Sequence, residues 1–334
     1  MKIGIDAMGG DYAPHETVSG GLLALNEFDD VSIVLFGDKD KLLTEVNSHG
    51  DGSLDRIEII NTEEIISNDD APVAAIKNKK NSSMVCGLDY LKHNKIDAFV
   101  SAGNTGALMA GGLLKLGRIS NVDRPALVSP IPTKTGLVIM ADSGSNTDCK
   151  PVNLLQFAVM GSAYVEEVLD IKRPRIGLLN VGAEEGKGND LTKRTYKLLS
   201  DAQINFVGNV EGRDIPYGKC DILVCDGFVG NAVLKSMEGI ASLIIELLKE
   251  EMMKNHLTKL GALLLKDGFK NILKRMDYKE YGGVPLLGIN GAVIKAHGSS
   301  DSHAFLNAVR QARIFVKNDV LNNLKVQVSN IGVK

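Results

Sequence analysis

The sequence predicts an α/β protein built on a mostly parallel sheet. Short runs of aliphatic and β-branched residues alternate with longer segments of helical character along the 334 residues. Glycine-rich turns follow several of the apolar runs, as expected where the strands of an open sheet end at a ligand-binding edge. Hydrophobic residues make up 44% of the chain, which is enough to bury the core of one large or two moderate domains.

Nine short apolar runs bounded by turn residues predict nine strands. They lie at residues 2–6, 31–36, 56–60, 98–101, 126–130, 137–141, 175–180, 204–207 and 222–225. Helices are predicted near residues 14–27, 72–94, 105–117, 150–169, 189–200, 229–276 and 302–323. The segment from Pro130 to Gly136 separates two apolar runs and has the composition of a hairpin loop, which predicts an antiparallel section. A domain junction is expected near residues 145–150, where a Gly-Ser-Asn turn precedes a new helix.

Composition excludes several classes of function. The formal net charge is −3, tryptophan is absent, and no basic stripe is interleaved with aromatic residues, so we expect no nucleic-acid partner. The four cysteines lack the histidine spacing of a zinc site, and we expect no metal, no cofactor and no disulfide framework. The first eleven residues include Asp6 and no long apolar stretch, and no segment reaches the ~20 apolar residues of a spanning helix. A cytoplasmic protein is therefore expected.

Five polar loops that contain glycine follow predicted strands. They are residues 6–11 (DAMGGD), 101–107 (SAGNTGA), 142–146 (DSGSN), 180–188 (NVGAEEGKG) and 226–231 (DGFVGN). Turn preferences alone explain one such loop, but five loops at the carboxyl ends of strands are expected to converge on a ligand. In the second loop, Gly103 to Gly106 open a small-residue helix, where backbone N–H groups and the helix dipole favour an anion. Together the loops predict a cradle for a small anion.

Side chains that could supply charge or move protons are few. Lys187 lies between two glycines in the fourth loop, where a lysine has little structural purpose. The basic segment 77–83 ends in Ser83, whose hydroxyl could donate to an anion; a solvated helix face is the alternative. His297 precedes the last helix and is either a general base or a structural residue of that turn. No Ser-His-Asp, Cys-His or Gly-x-Ser-x-Gly arrangement is present, so the sequence predicts no covalent nucleophile.

Taken together, these loops and several further segments resemble the bacterial PlsX family, the acyl-carrier-protein:phosphate acyltransferases. The matching stretches are DAMGGD (6–11), APVAAIKNKKNSSM (71–84), SAGNTGAL (101–108), RPAL (124–127), NVGAEEGKGN (180–189), GNVEGRD (208–214), CDGFVGNAVLKSMEG (225–239), EYGGVPLLG (280–288) and IKAHGSSD (294–301). They extend in order over nearly the whole chain. One departure is Tyr12, where the family often has histidine, so this residue can at most donate a hydrogen bond there.

The resemblance implies a three-layer α/β/α fold similar to that of isocitrate and isopropylmalate dehydrogenases and phosphotransacetylases, with a protruding helical hairpin. It also implies a homodimer whose subunits hold the active site in a cleft between two domains. We assign residues 1–148 with 288–334 to the first α/β domain. Residues 149–287, with a helical arm at 229–280, form the second, and the whole chain is one catalytic unit.

The reaction that the resemblance implies is the reversible attack of inorganic phosphate on the thioester of a long-chain acyl carrier protein, which gives an acyl phosphate for phospholipid synthesis. The resemblance places Lys187 in the active site as the cation that contacts the phosphate or the oxyanion formed from the thioester carbonyl. Asp226 would orient that lysine or a proton on the phosphate, and His297 is the third catalytic candidate. Phosphate binding is assigned to Ser83, Gly103, Asn104, Thr105, Gly106 and Asn231.

Residues 257–276 combine apolar residues at helical spacing with interleaved lysines. Either this arm packs on a dimer partner or its tip touches the membrane surface, and both hold if the base packs and the tip meets lipid. The residues assigned to membrane contact are Leu260, Leu263, Leu264 and Leu265. We therefore expect transient association with the inner face of the cell membrane and, as a further partner, a downstream membrane acyltransferase.

Two other functions are compatible with the same pattern. A phosphotransacetylase-like enzyme would use a short-chain acyl-CoA, and an acyl tunnel lined by leucine and methionine would favour the long-chain substrate instead. A non-catalytic organiser of lipid synthesis at the membrane would function without Lys187. A dehydrogenase is disfavoured, because no Gly-x-Gly-x-x-Gly follows the first strand and no metal-binding aspartate cluster has convincing spacing.

Overall fold

The strands form one mixed sheet within residues 1–49, 54–276 and 282–329, which are the residues that this computed structural model describes. Its strands are β1 (Lys2–Asp6), β2 (Ser32–Gly37), β3 (Ile57–Asn61), β4 (Ala98–Ser101), β5 (Ala126–Thr133), β6 (Gly136–Ala141), β7 (Ile176–Asn180), β8 (Phe206–Glu211), β9 (Ile222–Val224), β10 (Val284–Leu287) and β11 (Ala292–Lys295). Their order across the sheet is β3-β2-β1-β4-β11-β10-β5-β6-β9-β7-β8.

Two groups of parallel strands make up this sheet. One group runs from β3 to β11 and the other from β6 to β8, and the strands β10 and β5 join them through antiparallel pairs. The antiparallel hairpin expected around Pro130 is present, but its strands extend further and only residues 134–135 form the turn. The α/β prediction with a mostly parallel sheet is confirmed.

The helices are α1 (His15–Glu27), α2 (Lys39–Ser48), α3 (Pro72–Asn78), α4 (Ser83–Lys92), α5 (Thr105–Gly111), α6 (Pro151–Val168), α7 (Asp190–Asp201), α8 (Gly227–Met253), α9 (His256–Leu264), α10 (Lys266–Met276), α11 (Ser302–Lys317) and α12 (Val320–Ser329). A π-helical turn, Gly112–Leu116, continues α5. Three of the predicted helices, at residues 72–94, 229–276 and 302–323, are each divided into shorter helices by a capping residue or a residue with positive φ. Ser82 caps α4, Asn255 caps α9, and Asp319 has a positive φ of 50° between α11 and α12.

Helices cover both faces of the sheet. Successive side chains of β2 alternate between two core clusters, with Ile33 and Leu35 in one and Val34 and Phe36 in the other. The first cluster includes α1, α6 and α11, and the second includes α4 and α5. A sheet buried on both faces in this way is the middle of three layers, as predicted.

The long helix α8 leaves this body. Few of its residues are buried, α9 has no buried residue, and α9 contacts α8 next to the junction between them. That the two helices form a hairpin stays a prediction. By length and composition α8 is the one helix among the described residues that could cross a membrane. The arm predicted at residues 229–280 begins here, and its residues 277–280 lie outside the described ranges.

The division into domains stays a prediction. The sheet is continuous across the proposed boundary, because β6 of the first unit pairs with β9 of the second and β10 pairs with both β11 and β5. The last five residues of the first unit, 330–334, also lie outside the described residues.

Candidate active site

Two groups of loops meet at the candidate site. Because β1 neighbours β4, and β9 lies between β6 and β7, the loops after these strands begin side by side in each group. A cavity of about 360 Å³ lies where the groups come together. Its lining includes Thr105 from one group, Gly144 and Asn231 from the other, and His297 from the segment after β11. Four of the five predicted loops therefore surround or support one cavity.

The loops of the first group are tied to each other and to the segment after β11. Asp11 donates its backbone N–H to the carbonyl of Gly298 at 2.8 Å. A side chain at Gly9 is excluded, because its Cβ would lie within 2.9 Å of the Gly103 nitrogen. The loops after β1 and β4 thus touch through their backbones, and this contact needs glycine.

A buried carboxyl group lies beneath these loops. Asp6 accepts a hydrogen bond from Ser101 Oγ at 2.7 Å through Oδ2, whereas its Oδ1 has no hydrogen-bond partner among the described residues. Burial raises the pKa of Asp6, an effect opposed by the hydroxyls of Ser83 and Ser101 and by the charge of Lys295. Ser83, predicted to bind phosphate, is itself buried against this carboxyl group.

Lys295 is a buried cation in the cavity wall. It ends β11 opposite Ser101, and its Nζ donates to the carbonyl of Ala102 at 3.1 Å and to that of Ala296. Burial lowers its pKa to about 8, against the opposing effect of Asp6 and Asp11. The side chain is therefore mostly protonated at neutral pH and carries a positive charge in surroundings that exclude water, where that charge acts strongly on an anion.

The loop after β6 is organised by its own aspartate. Both oxygens of buried Asp142 accept hydrogen bonds, among them from the backbone N–H of Gly144, Ser145 and Asn146 at 3.3, 3.1 and 2.7 Å. These N–H groups therefore hold Asp142. The loop shapes the cavity through Gly144 rather than by offering its amides to an anion.

The loop after β4 retains unused donors. Asn104 caps α5 by accepting from Ala107 N at 3.0 Å, and Gly103 donates its N–H to Ser101 Oγ at 3.1 Å. Within the described residues the N–H groups of Thr105 and Gly106 have no acceptor. Thr105 lines the cavity, so this helix start is available to an anion, whereas Gly103 and Asn104 have structural hydrogen bonds.

His297 and Lys235 contact each other in the lining of the cavity. Lys235 Nζ lies 3.4 Å from His297 Nε2 and 2.7 Å from Glu238 Oε2, and His297 Nδ1 lies 2.9 Å from Ser299 Oγ. Burial, followed by the charges of Lys235 and Lys295, lowers the pKa of His297. The imidazole is therefore neutral at physiological pH, and its Nδ1 accepts a hydrogen bond from the backbone N–H of Ser299 at 3.2 Å.

Lys187 lies in the loop between β7 and α7, next to the loop of Asp226. It is exposed, and the loop is anchored by Asn180, which donates to the Lys187 carbonyl at 3.1 Å, and by Asn209, which donates to the Glu184 carbonyl at 2.8 Å. Asp226 caps α8 by accepting from Val229 N at 3.0 Å. The structure places the two loops at neighbouring strand ends, and Lys187 is not among the described residues that line the cavity.

The cleft holds cations and hydroxyls but no activated thiol. Cys225 is buried and its pKa is raised well above the ordinary value by burial, and burial raises the pKa of Cys149 to about 12. Ser129 Oγ donates to Ser143 Oγ at 2.6 Å, and no histidine is bonded to either hydroxyl in the described part of the chain. The arrangement suits an anionic nucleophile that comes from solution.

Lys295 and Lys235 line the cavity but were not predicted from the sequence. Both lie in segments already recognised, IKAHGSSD and CDGFVGNAVLKSMEG. A lysine inside an apolar strand was an available signal for Lys295, but β11 itself was not predicted. The four arm leucines lie elsewhere, on α9 and at its end, with Leu263 and Leu264 exposed by 66% and 80%.

Comparison with known proteins gives a consistent result. A family model described as fatty acid synthesis protein matches residues 1–323. The phosphate acyltransferase of Thermoanaerobacter pseudethanolicus is 55% identical over 332 residues, covering 99% of this chain and 98% of that protein. The phosphate acyltransferase of Thermoanaerobacterium thermosaccharolyticum is 56% identical with the same coverage.

Solved structures share the fold at low sequence identity. The branched-chain phosphotransacylase of Enterococcus faecalis V583 aligns with a TM-score of 0.60 at 15% identity, covering 95% of this chain and 99% of that one. The EutD phosphotransacetylase of Staphylococcus aureus aligns with a TM-score of 0.59 at 15% identity, covering 94% of each chain. At this identity the likeness concerns the arrangement of strands and helices alone.

Proposed function

The chain belongs to the fatty acid synthesis protein family that includes the phosphate acyltransferases, and we propose that its acyl donor is a long-chain acyl carrier protein. It is an acyltransferase that uses phosphate as the acceptor. The identity of the donor, the residues that react and the place of the reaction in the cell are the parts that we infer.

One observation supports the location of the reaction most strongly. The cavity between the two groups of loops is lined by the ammonium groups of Lys295 and Lys235, the helix start at Thr105 and a neutral His297. Lys235 is paired with Glu238 in the same lining, so the buried cation of Lys295 and the free backbone donors are what favour a bound phosphate. The absence of an activated nucleophile among the described residues is no obstacle, because phosphate itself attacks.

The reaction needs positioning and charge stabilisation more than covalent chemistry. A phosphate oxygen attacks the thioester carbonyl, a C–O bond forms, and the C–S bond breaks to release the carrier thiol. A thiol pKa of about 8.5 makes the thiolate a good leaving group. The proton lost by phosphate passes to His297, which can return it to the departing sulfur. Donors aimed at the developing oxyanion typically contribute ~3–4 kcal/mol each in such sites.

We further propose that Lys187, in the loop that follows β7, acts on the phosphate or the oxyanion when substrate is bound. Asp226, in the loop that follows the neighbouring strand β9, would orient it. Lys295 holds the phosphate from the cavity wall, with Thr105 and Asn231 in the same lining and Gly106 next to Thr105 in the adjoining groove. Ser83, Gly103 and Asn104 support this site from behind, since their hydrogen bonds fix Asp6 and the start of α5.

The donor is tested by a direct comparison of two thioesters. Palmitoyl carrier protein and acetyl-CoA are incubated with enzyme and phosphate, and the acyl phosphate is trapped with hydroxylamine. We expect efficient phosphate-dependent turnover of the carrier protein substrate and poor turnover of acetyl-CoA. Preference for acetyl-CoA would establish the short-chain phosphotransacetylase alternative instead.

We also propose that the base of the arm pairs with a second copy of the chain and that its tip touches the inner face of the cell membrane. Ile240, Leu243 and Leu247 of α8 are exposed, and Lys259 and Lys266 flank the exposed leucines 263–265. A lipid-soluble acyl phosphate would then pass to a membrane acyltransferase without crossing water.

Replacing the three leucines 263–265 with glutamate tests this placement. The variant is expected to stay at the bottom of a flotation gradient with anionic vesicles, whereas the wild type and a Val326→Glu control on α12 float. Val326 is exposed by 60% and lies away from the arm. Flotation of the triple variant would show that these leucines are not required for membrane binding.

A further inference from the structure

An apolar groove opens from the phosphate side of the cleft. Its volume is about 510 Å³, and Thr105 and Gly144 line both the groove and the cavity. Away from this shared end, the wall consists of Val73 on α3, Met109 on α5 and Leu113 and Leu114 on the π-helical turn. No charged side chain is among the described residues that line it.

The wall of the groove is built by specific contacts. Gly106 brings α5 against α3, since a Cβ at this position would lie 2.7 Å from Pro72 Cγ. Asn104 Nδ2 donates to the carbonyls of Ser67 and Asn68 at 3.1 and 3.2 Å, which fixes the segment leading into α3. The same residues that shape the start of α5 for an anion therefore also fix the apolar wall beside it.

Side chains along this wall are left open to solvent. Val73 and Leu114 are each exposed by 51%, although they lie beside a polar cavity. A helical rise of 1.5 Å per residue puts Leu114 about 13 Å from Thr105. An apolar trough of this length with a polar end is suited to a ligand that has an alkyl chain and an anionic or polar head.

We infer that this groove binds the acyl chain of the donor and of the acyl phosphate product, with the reacting carbonyl at the Thr105 and Gly144 end. The inference rests on the proposed function, because that function supplies an acyl chain attached to phosphate. Leucine and methionine are the residues expected of a long-chain site, and the groove has both. Each methylene that enters it is expected to strengthen binding by about fourfold.

Binding of unreactive alkyl phosphates tests the groove without catalysis. Ethyl, butyl, hexyl, octyl and decyl phosphate are titrated by calorimetry below their micellar concentrations, with wild type and with Val73→Phe and Leu114→Gln. The matched control is Val207→Phe on β8, a valine exposed by 45% outside the groove. Thermal unfolding of each variant verifies that it is folded.

For the wild type and the control we expect affinity to rise with each added methylene. Val73→Phe and Leu114→Gln are expected to lose at least about fivefold in affinity for decyl phosphate and much less for ethyl phosphate. Equal binding of all lengths, or an unchanged length dependence in both folded variants, would overturn the inference. If the length dependence is unchanged and the variants differ from the wild type in oligomeric state, a second copy of the chain covers the groove instead.

Failure of the proposed function gives a different result. In that case the enzyme prefers acetyl-CoA to palmitoyl carrier protein in the phosphate-dependent reaction, while the length dependence of alkyl phosphate binding and its loss in Val73→Phe persist. The groove would then be an alkyl-chain site that the acyl group of the donor does not use.

Discussion

Replacing Lys295 with methionine separates the effect of its charge from the effect of its packing. Its pKa is lowered from 10.5 to about 8, which corresponds to about 3 kcal/mol of unfavourable free energy for the charged side chain in the folded protein. The substitution removes this cost but leaves the carbonyls of Ala102 and Ala296 without their donor, at about 1–3 kcal/mol each. We therefore expect the free energy of unfolding at pH 7 to change by no more than about 3 kcal/mol.

The pH dependence of this difference has a definite sign. Because the pKa of Lys295 is lower in the folded state, the unfolded state binds more protons between pH 8 and 10.5, and the wild type gains stability from this residue as the pH rises. Relative to Lys295→Met, the wild type is expected to gain about 2.5 kcal/mol between pH 7 and pH 10. Urea denaturation of both proteins at several pH values measures this difference.

Activity is expected to respond much more strongly than stability. Loss of a buried cation that holds phosphate is expected to lower kcat/KM by about 10²–10³-fold, within the range for removal of one such electrostatic group. In the wild type, kcat/KM should also fall above pH 8 as Lys295 loses its proton, and this decline should be absent from the residual activity of the variant. A variant with activity within about threefold of wild type, or a stability difference independent of pH, would refute the assignment.

Two further substitutions test the remaining parts of the site. Lys187→Ala is expected to lower kcat by about 10²-fold with no measurable change in thermal unfolding, because the side chain is exposed; full activity would leave the non-catalytic organiser as the better explanation. Asp142→Asn is expected to lower the free energy of unfolding by at least about 3 kcal/mol, because an amide group replaces an oxygen that accepts from backbone N–H groups. Denaturant titration checks this value, and a loss below about 1 kcal/mol would contradict the structural role.

The fold was largely predictable because its signals are local. Glycine-rich turns after apolar runs correctly indicated the strand ends, and α/β alternation indicated the layers. Two strands were missed, β10 and β11, because their short apolar runs lie between turns and gain their partners only from strands far away in sequence. Helix α2 was missed because only Leu42 and Val46 are buried, too few to give a clear helical period.

The convergence of four predicted loops on one cavity was predictable, but the hydrogen bonds of those loops were not. Their position after strands indicated that the loops bind a ligand. Which hydrogen bonds the loop residues make depends on tertiary contacts, which the sequence does not show. Asparagine and serine are suited to bind phosphate, but Asn104 caps a helix and Ser83 is buried against Asp6. Lys295 was missed because β11, the strand that places it opposite Ser101, was not predicted.

Phosphate is proposed to bind in the cavity between the two groups of loops. Crystals soaked with selenate, a tetrahedral anion that anomalous scattering locates, test this binding. We predict one strong peak within hydrogen-bonding distance of Lys295 Nζ and the Thr105 N–H, and its absence in Lys295→Met crystals. An anion bound by Lys187 on its exposed loop, with none in the cavity, would contradict it.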